Sequence, residues 1–238
     1  MQISQIKSQA RVRGKGRKVA YALNRRQSIQ ALVFAALLLA SPFAPWAGAQ
    51  NAADAASKML AAASPLGDRV LGRADAPVVM VEYASATCPH CAEFHEKVLP
   101  LIKTEYIDTG KVRFIFREFP LDNLAMGAFM LARCVPDDKY FPTIDMMFRR
   151  QQTWSKTGNP ADELFRIMQL SGMDKPAFEA CLKRVDLSKA IFEFSKKAAK
   201  DFGIKGTPAI FVNGQMIDGH KEMNEVKAAI DAAIKKIP

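Results

Sequence analysis

The chain has 238 residues, 49% of them hydrophobic, and carries 34 basic against 24 acidic side chains for a formal net charge of +10. Eight of the basic residues, Lys7, Arg11, Arg13, Lys15, Arg17, Lys18, Arg25 and Arg26, stand at the start with no acid among them. The remainder, 26 basic against 24 acidic, is nearly neutral, so the high charge is no argument for nucleic-acid binding.

The basic start is followed by ALVFAALLLA, residues 31–40. Ten residues are too few to cross a bilayer, which takes about 20. A basic lead, a short apolar run and then Ala47-Gly48-Ala49 predict a secretory signal, residues 1–49, cleaved near Ala49. The alternative is a membrane anchor or a buried helix. Arg25-Arg26 also allows twin-arginine export, although Ser28 is an unusual residue there, and the general route is preferred. Cleavage leaves 189 residues, enough for one domain with a substantial core. Residues 50–65 are Ala-rich and read as a mobile lead or a loose helix, and the domain proper is expected at 66–238.

Within that domain APVVMVEYAS, residues 76–85, has the continuous apolar character of a strand buried in a sheet. Residues 87–109 follow at helical spacing, with Phe94, Val98, Leu101 and Ile102 expected on one face and a bend at Pro100. KVRFIFREF, residues 111–119, is a second strand, giving a strand-helix-strand unit with right-handed crossover. From about 121 to 186 helical pieces are punctuated by Pro136, Pro142, Pro160 and Pro176, as in a helical subdomain inserted into an α/β fold. Its Met126, Phe129, Met130, Met146, Met147 and Phe148 recur at helical intervals and read as core. TPAIFVNGQMID is two short strands joined by Asn213-Gly214, a strong hairpin signal. Residues 222–237 close with a helix whose stripe is Val226, Ala229, Ile230 and Ile234.

The chemistry gathers at TCPHCAEF, residues 87–94, where Cys88 and Cys91 flank Pro89 and His90 at the start of a helix. A tetrahedral metal site needs two further ligands, and the chain has no second Cys-x-x-Cys and only His90, His95 and His220. A purely structural bridge would close a very small loop and restrict the unfolded chain little. Disulfide exchange suits the placement best. At a helix start, unpaired amides and the dipole favour an anion, so the Cys88 thiol should ionise readily and attack as the thiolate. No metal or other cofactor is expected. Export to an oxidising compartment makes disulfides the default for the four cysteines, which allow three pairings. Cys134 and Cys181, both in the helical insertion, are expected to form a second, structural disulfide, with buried free thiols as the alternative.

CPHC, the preceding VEYASAT and the later GTPAIFVNG together resemble the thioredoxin fold, and specifically the DsbA-like thiol:disulfide oxidoreductases of bacterial envelopes. The resemblance extends from about Leu66 to the C-terminus. It implies an α/β, thioredoxin-like fold with an inserted helical subdomain. It also implies that Cys88 is the first thiol to react, that Cys91 resolves the mixed disulfide, and that His90 adds a donor or positive charge beside Cys88. Thr207-Pro208 is similar to the cis-proline loop that faces the reactive pair and holds substrate backbone. Glu82 matches the acid buried beneath the motif, a candidate proton relay for Cys91 that is costly in so apolar a strand unless paired or protonated.

The expected function is therefore periplasmic oxidation of reduced or unfolded secreted proteins by a monomer that a DsbB-like, quinone-linked membrane oxidase reoxidises. Alternatives are an isomerase or reductase of the same fold, or a non-enzymatic holdase or metal carrier. Other polar residues say less. Glu118, at a strand end, is a weaker acid candidate and as readily a surface group. His95 reads as a helix-surface or packing residue, His220 as a solvated loop group, and Trp154 as core rather than groove wall.

Overall fold

The computed structural model describes residues 62–217 and 223–236, together with Asp54, Lys58 and Met59. The expected signal and His220 lie outside the described residues. At the centre is β2, Val78–Ala84, whose sequence VVMVEYA is buried on both faces. It runs parallel to β3, Val112–Glu118, and antiparallel to β4, Ala209–Val212. β1, Arg69–Leu71, pairs antiparallel with β3, and β5, Gln215–Met216, with β4, giving the order β1-β3-β2-β4-β5. The β4–β5 turn is Asn213-Gly214, with φ of 46° and 76°. Asn213 also completes the edge of β2, accepting from the Val79 amide through Oδ1 and donating its own amide to the Val79 carbonyl, both at 2.8 Å.

α1 joins β2 to β3 and runs without interruption through Pro89–Glu93, Phe94–Val98, Leu99–Ile102 and Lys103–Ile107, the second and fourth pieces having π geometry. Pro100 explains the first of these. It has no amide to give and its ring crowds the preceding turn, and the helix widens just before it, with the Leu99 amide reaching back to the Phe94 carbonyl. A wider turn rotates every later side chain, which corrects the expected face: Leu101 is 47% exposed, whereas Phe94, Val98, Leu99 and Ile102 are buried.

Between β3 and β4 come α2, Asn123–Arg133; a 3-10 turn, Asp137–Lys139; α3, Tyr140–Arg149; α4, Gln151–Ser155; α5, Pro160–Leu170; α6, Lys175–Leu182; and α7, Val185–Phe202. α8, Met223–Ile234, ends the described chain. Alternation along β2 divides the core. Met80 and Ala84 face α1, the helical insertion and α8, while Val81 and Tyr83 meet Phe194 and Ala198 of α7. Met59, in the stretch expected as a lead, is buried on that second face, and its carbonyl accepts from Arg117 Nη1 at 3.0 Å. Cys134, at the end of α2, is joined to Cys181 of α6 by a disulfide with Cα atoms 6.2 Å apart.

Glu118 is not a surface group. It is 2% exposed and receives two bonds from Arg133, at 2.5 and 2.8 Å, and one from the Tyr140 hydroxyl at 2.6 Å. Arg133 also donates to the Leu66 and Gly67 carbonyls at 2.8 Å, tying β3, α2 and α3 to the segment before β1. Removing one member of such a pair leaves an uncompensated charge out of water. Arg133→Ala should therefore cost about 3–5 kcal/mol in urea unfolding, and adding Glu118→Gln should recover part of the loss, because a neutral amide still accepts from Tyr140.

Candidate functional site

β2 delivers the chain to residues 85–88, a loop held from three sides. The Cys88 amide donates to the Ser85 carbonyl at 3.1 Å, and the Leu121 amide to Ser85 Oγ at 3.3 Å. Thr87 Oγ1 donates to Asp122 Oδ2 at 2.7 Å, while Oδ1 of the same carboxylate caps α2 through the Ala125 amide. From α4, fully buried Gln151 donates through Nε2 to the carbonyls of Ala86 and Cys88, each at 2.9 Å. The insertion thus clamps the loop that presents Cys88 and Cys91.

Cys88 is the N-cap of α1, with Pro89 in the first turn, where a missing amide costs nothing. Both Cys88 and Cys91 are free thiols, 7% and 0% exposed. The Cys88 thiol is brought from 9.0 to about 5, chiefly by a hydrogen bond from the Cys91 thiol; burial opposes this, and the Thr207 side chain and the amides of Cys91 and His90 assist. The His90 amide is the last of these contributors, while the residue itself is exposed. Cys91 moves the opposite way, well above its ordinary value, through burial first, then the bond it gives to Cys88 and the negative charge of Glu82. One thiol is prepared to ionise and its neighbour to keep its proton.

The loop before β4 closes the other side. The Thr207–Pro208 bond is cis, and Cys88 Sγ lies 3.2 Å from the Thr207 carbonyl oxygen. Thr207 Oγ1 is buried with no hydrogen-bond partner among the described residues, leaving its hydroxyl available to an ionised Cys88.

Below Cys91, Glu82 is 0% exposed on the face of β2 covered by α1, with Oε2 2.9 Å from His95 Nε2. His95 itself is only 4% exposed. Its placement had a signal in the sequence, because four residues on from Cys91 is the same side of the helix. Gln151 had none: a lone Gln in a helical segment says nothing of what its amide will reach. Trp154 is fully buried and donates to the Met147 carbonyl at 2.7 Å, so it is core. Among the described residues, no group of His, Cys, Asp and Glu is arranged to hold a metal ion.

A family model described as Thioredoxin matches residues 64–232. Over 170 residues the chain is 35% identical to a Rickettsia bellii protein named as a protein-disulfide oxidoreductase, the match taking in 71% of this chain and 65% of that one. The chain thus matches less than two thirds of the length of this relative and of the similar Rickettsia typhi protein, where the share is 62%. It is 27% identical over 183 residues to disulfide bond formation protein D of Bacillus subtilis, covering 71% of this chain and 78% of that protein. The crystal structure of Wolbachia pipientis alpha-DsbA1 superposes with a TM-score of 0.66 at 34% identity, over 72% of this chain and 94% of the other.

The ionisation of Cys88 links stability to pH. Its folded value, about 5, lies below its ordinary 9.0, so the thiolate favours folding of the reduced protein fully above pH 9, and this contribution is lost as pH falls through 5. The disulfide form has no such group. At pH 7 the contribution is at most about 3 kcal/mol, reduced by whatever water reaches the sulfur. Urea melts of the two forms should show the stability of the reduced protein relative to the oxidised one falling as pH drops from 9 to 5, whereas a pH-independent difference would contradict the assignment.

Proposed function

Since the chain belongs to the DsbA-like thiol:disulfide oxidoreductases of the thioredoxin superfamily, we propose that it hands a Cys88–Cys91 disulfide to reduced or unfolded proteins in the bacterial envelope. The observation that carries this reading is the opposed ionisation of the two thiols, Cys88 brought to about 5 and Cys91 raised well above its ordinary value. A dithiol whose outer sulfur is stable as the anion gives up its disulfide readily, because the thiolate is the better leaving group.

In the oxidised protein a substrate thiolate attacks Cys88 Sγ. The Cys88–Cys91 bond breaks and its electron pair goes to Cys91, which takes up a proton. A second substrate thiolate then attacks the substrate sulfur of the mixed disulfide, closing the substrate's own bond and expelling Cys88 as the thiolate. Two electrons pass from substrate to enzyme; both substrate thiols lose their protons to water as they become thiolates, Cys91 draws its proton from Glu82, and Cys88 remains ionised at neutral pH. No cofactor is needed, since electrons move only between sulfurs. Thr207 and Pro208, beside Cys88, hold the substrate backbone during attack. Glu82 relays the proton of Cys91. A DsbB-like, quinone-linked membrane oxidase restores the disulfide. The basic lead and apolar run at the start of the chain support export, with a cut near Ala49. The Cys134–Cys181 bond stays closed throughout as a structural bridge within the insertion.

The order of the thiols is open to trapping. Replacing Cys91 with Ala removes the internal nucleophile that reverses the first attack, so mixed disulfides with an unfolded, thiol-bearing protein should accumulate through Cys88. Cys88→Ala should form almost none, because Cys91 is fully buried. Non-reducing electrophoresis followed by mass spectrometry of the adducts would show this, and adducts carried mainly on Cys91 would refute the assigned order.

A further inference from the structure

Two titratable side chains beneath Cys91 are shut away from water. Glu82 and His95 are 0% and 4% exposed, and the single bond between them, His95 Nε2 to Glu82 Oε2 at 2.9 Å, leaves Glu82 Oε1 buried with no partner among the described residues. Among the described residues, neither group has a charged partner other than the other. The imidazole lies 4.2 Å from the Phe148 ring of α3 and meets Phe116 of β3 edge-on at 5.5 Å. In register with Glu82 are Phe116 of β3 and Ile210 of β4. On α1 the neighbours are the Phe94 ring, 5.9 Å from that of His95, and the thiol of Cys91, which the charge of Glu82 helps to raise. A carboxyl oxygen left bare in an apolar interior is costly as a structural element. It is what a group needs if it is to receive a proton and give it back.

We propose that His95 is a positioning residue for the exchange reaction, holding Glu82 by Oε2 so that Oε1 trades a proton with Cys91 while the pair keeps the counter-charge inside the protein. This rests on the reading of Glu82 as the relay of Cys91. In the oxidised protein the pair carries one proton more than in the reduced protein. When the Cys88–Cys91 bond breaks and its electrons arrive at Cys91, that proton passes from Glu82 to the sulfur, leaving a carboxylate bonded to the imidazole N–H. On reoxidation Cys91 returns the proton to Oε1 as its sulfur re-forms the bond to Cys88. Were His95 absent, Glu82 would have to undergo the same change of charge with neither oxygen bonded.

The test uses the full chain with Glu82→Gln, with His95→Gln, and with both. Single-turnover oxidation of a reduced dithiol peptide is followed from pH 5 to pH 9. Proton transfer by a positioned group is commonly worth 100-fold or more, so each single variant should slow the neutral-pH step by at least about tenfold. Both should acquire the same altered pH profile, with the double variant no slower than Glu82→Gln. If Glu82→Gln is slow but His95→Gln keeps the wild-type rate and profile, even with reduced stability, the inference about His95 fails and the relay stands. If Glu82→Gln behaves as wild type, both fail. Should His95→Gln not fold, nitrogen NMR of the His95 ring in the wild-type protein decides: its shifts should differ between the oxidised and reduced forms at one pH, and identical shifts overturn the proposal.

Discussion

The negative charge that Cys88 carries at neutral pH is the feature around which the site is arranged. An anion that is nearly out of water needs donors placed beforehand, and those in this protein come from separate parts of the chain. The start of α1 supplies the amides of His90 and Cys91, the first turn supplies the Cys91 thiol, and the loop before β4 supplies Thr207. Each depends on a different piece of the fold. Those amides lie in the first turn because Cys88 and Pro89 open the helix there, the Cys91 thiol is available because burial and Glu82 keep its proton on, and Thr207 is close because β4 pairs with β2.

The helical insertion has a more direct connection to the chemistry than its distance in sequence suggests. Gln151 and Asp122 both grip the loop between β2 and α1, one through the carbonyls of Ala86 and Cys88 and the other through the Thr87 hydroxyl. Phe148 of α3 lies against the His95 ring. The insertion is in turn fastened to the sheet by the Glu118–Arg133–Tyr140 cluster and within itself by the Cys134–Cys181 bond. Loop, Glu82–His95 pair and insertion thus form one connected body of contacts, and a change in one alters how firmly Cys88 is held.

Much of this was legible in the sequence where local chemistry decides the outcome. A run such as VVMVEYA has no polar face and has to lie within a sheet; Asn213-Gly214 suits the positive φ that a tight hairpin requires. Cys88 at a helix start implies an acidic thiol through backbone amides, and the direction is right, although the leading cause is the Cys91 thiol and the amides only assist. The features that escaped depend on partners far along the chain. β1 has three residues and exists only because β3 offers an edge. α7 has no counterpart among the elements expected from sequence, although Leu187, Ile191, Phe194 and Ala198 mark its buried side. Glu118 looked like a strand-end carboxylate because Arg133 and Tyr140 are 15 and 22 residues away. Leu101 turned outward because the helix widens ahead of Pro100, which no fixed 3.6-residue period anticipates. His95 was within reach of spacing arguments, but its partner Glu82 lies on the preceding strand.

Under the proposed function, the stabilised Cys88 thiolate makes the Cys88–Cys91 pair an oxidant. The most direct test of this is the redox equilibrium of the folded protein with glutathione at pH 7, read from the fraction of Cys88 and Cys91 that resists alkylation. The expected potential is more positive than about −180 mV, so that glutathione reduces the pair almost completely. A potential near about −270 mV, where the disulfide persists against glutathione and the dithiol serves as a reductant, would contradict it.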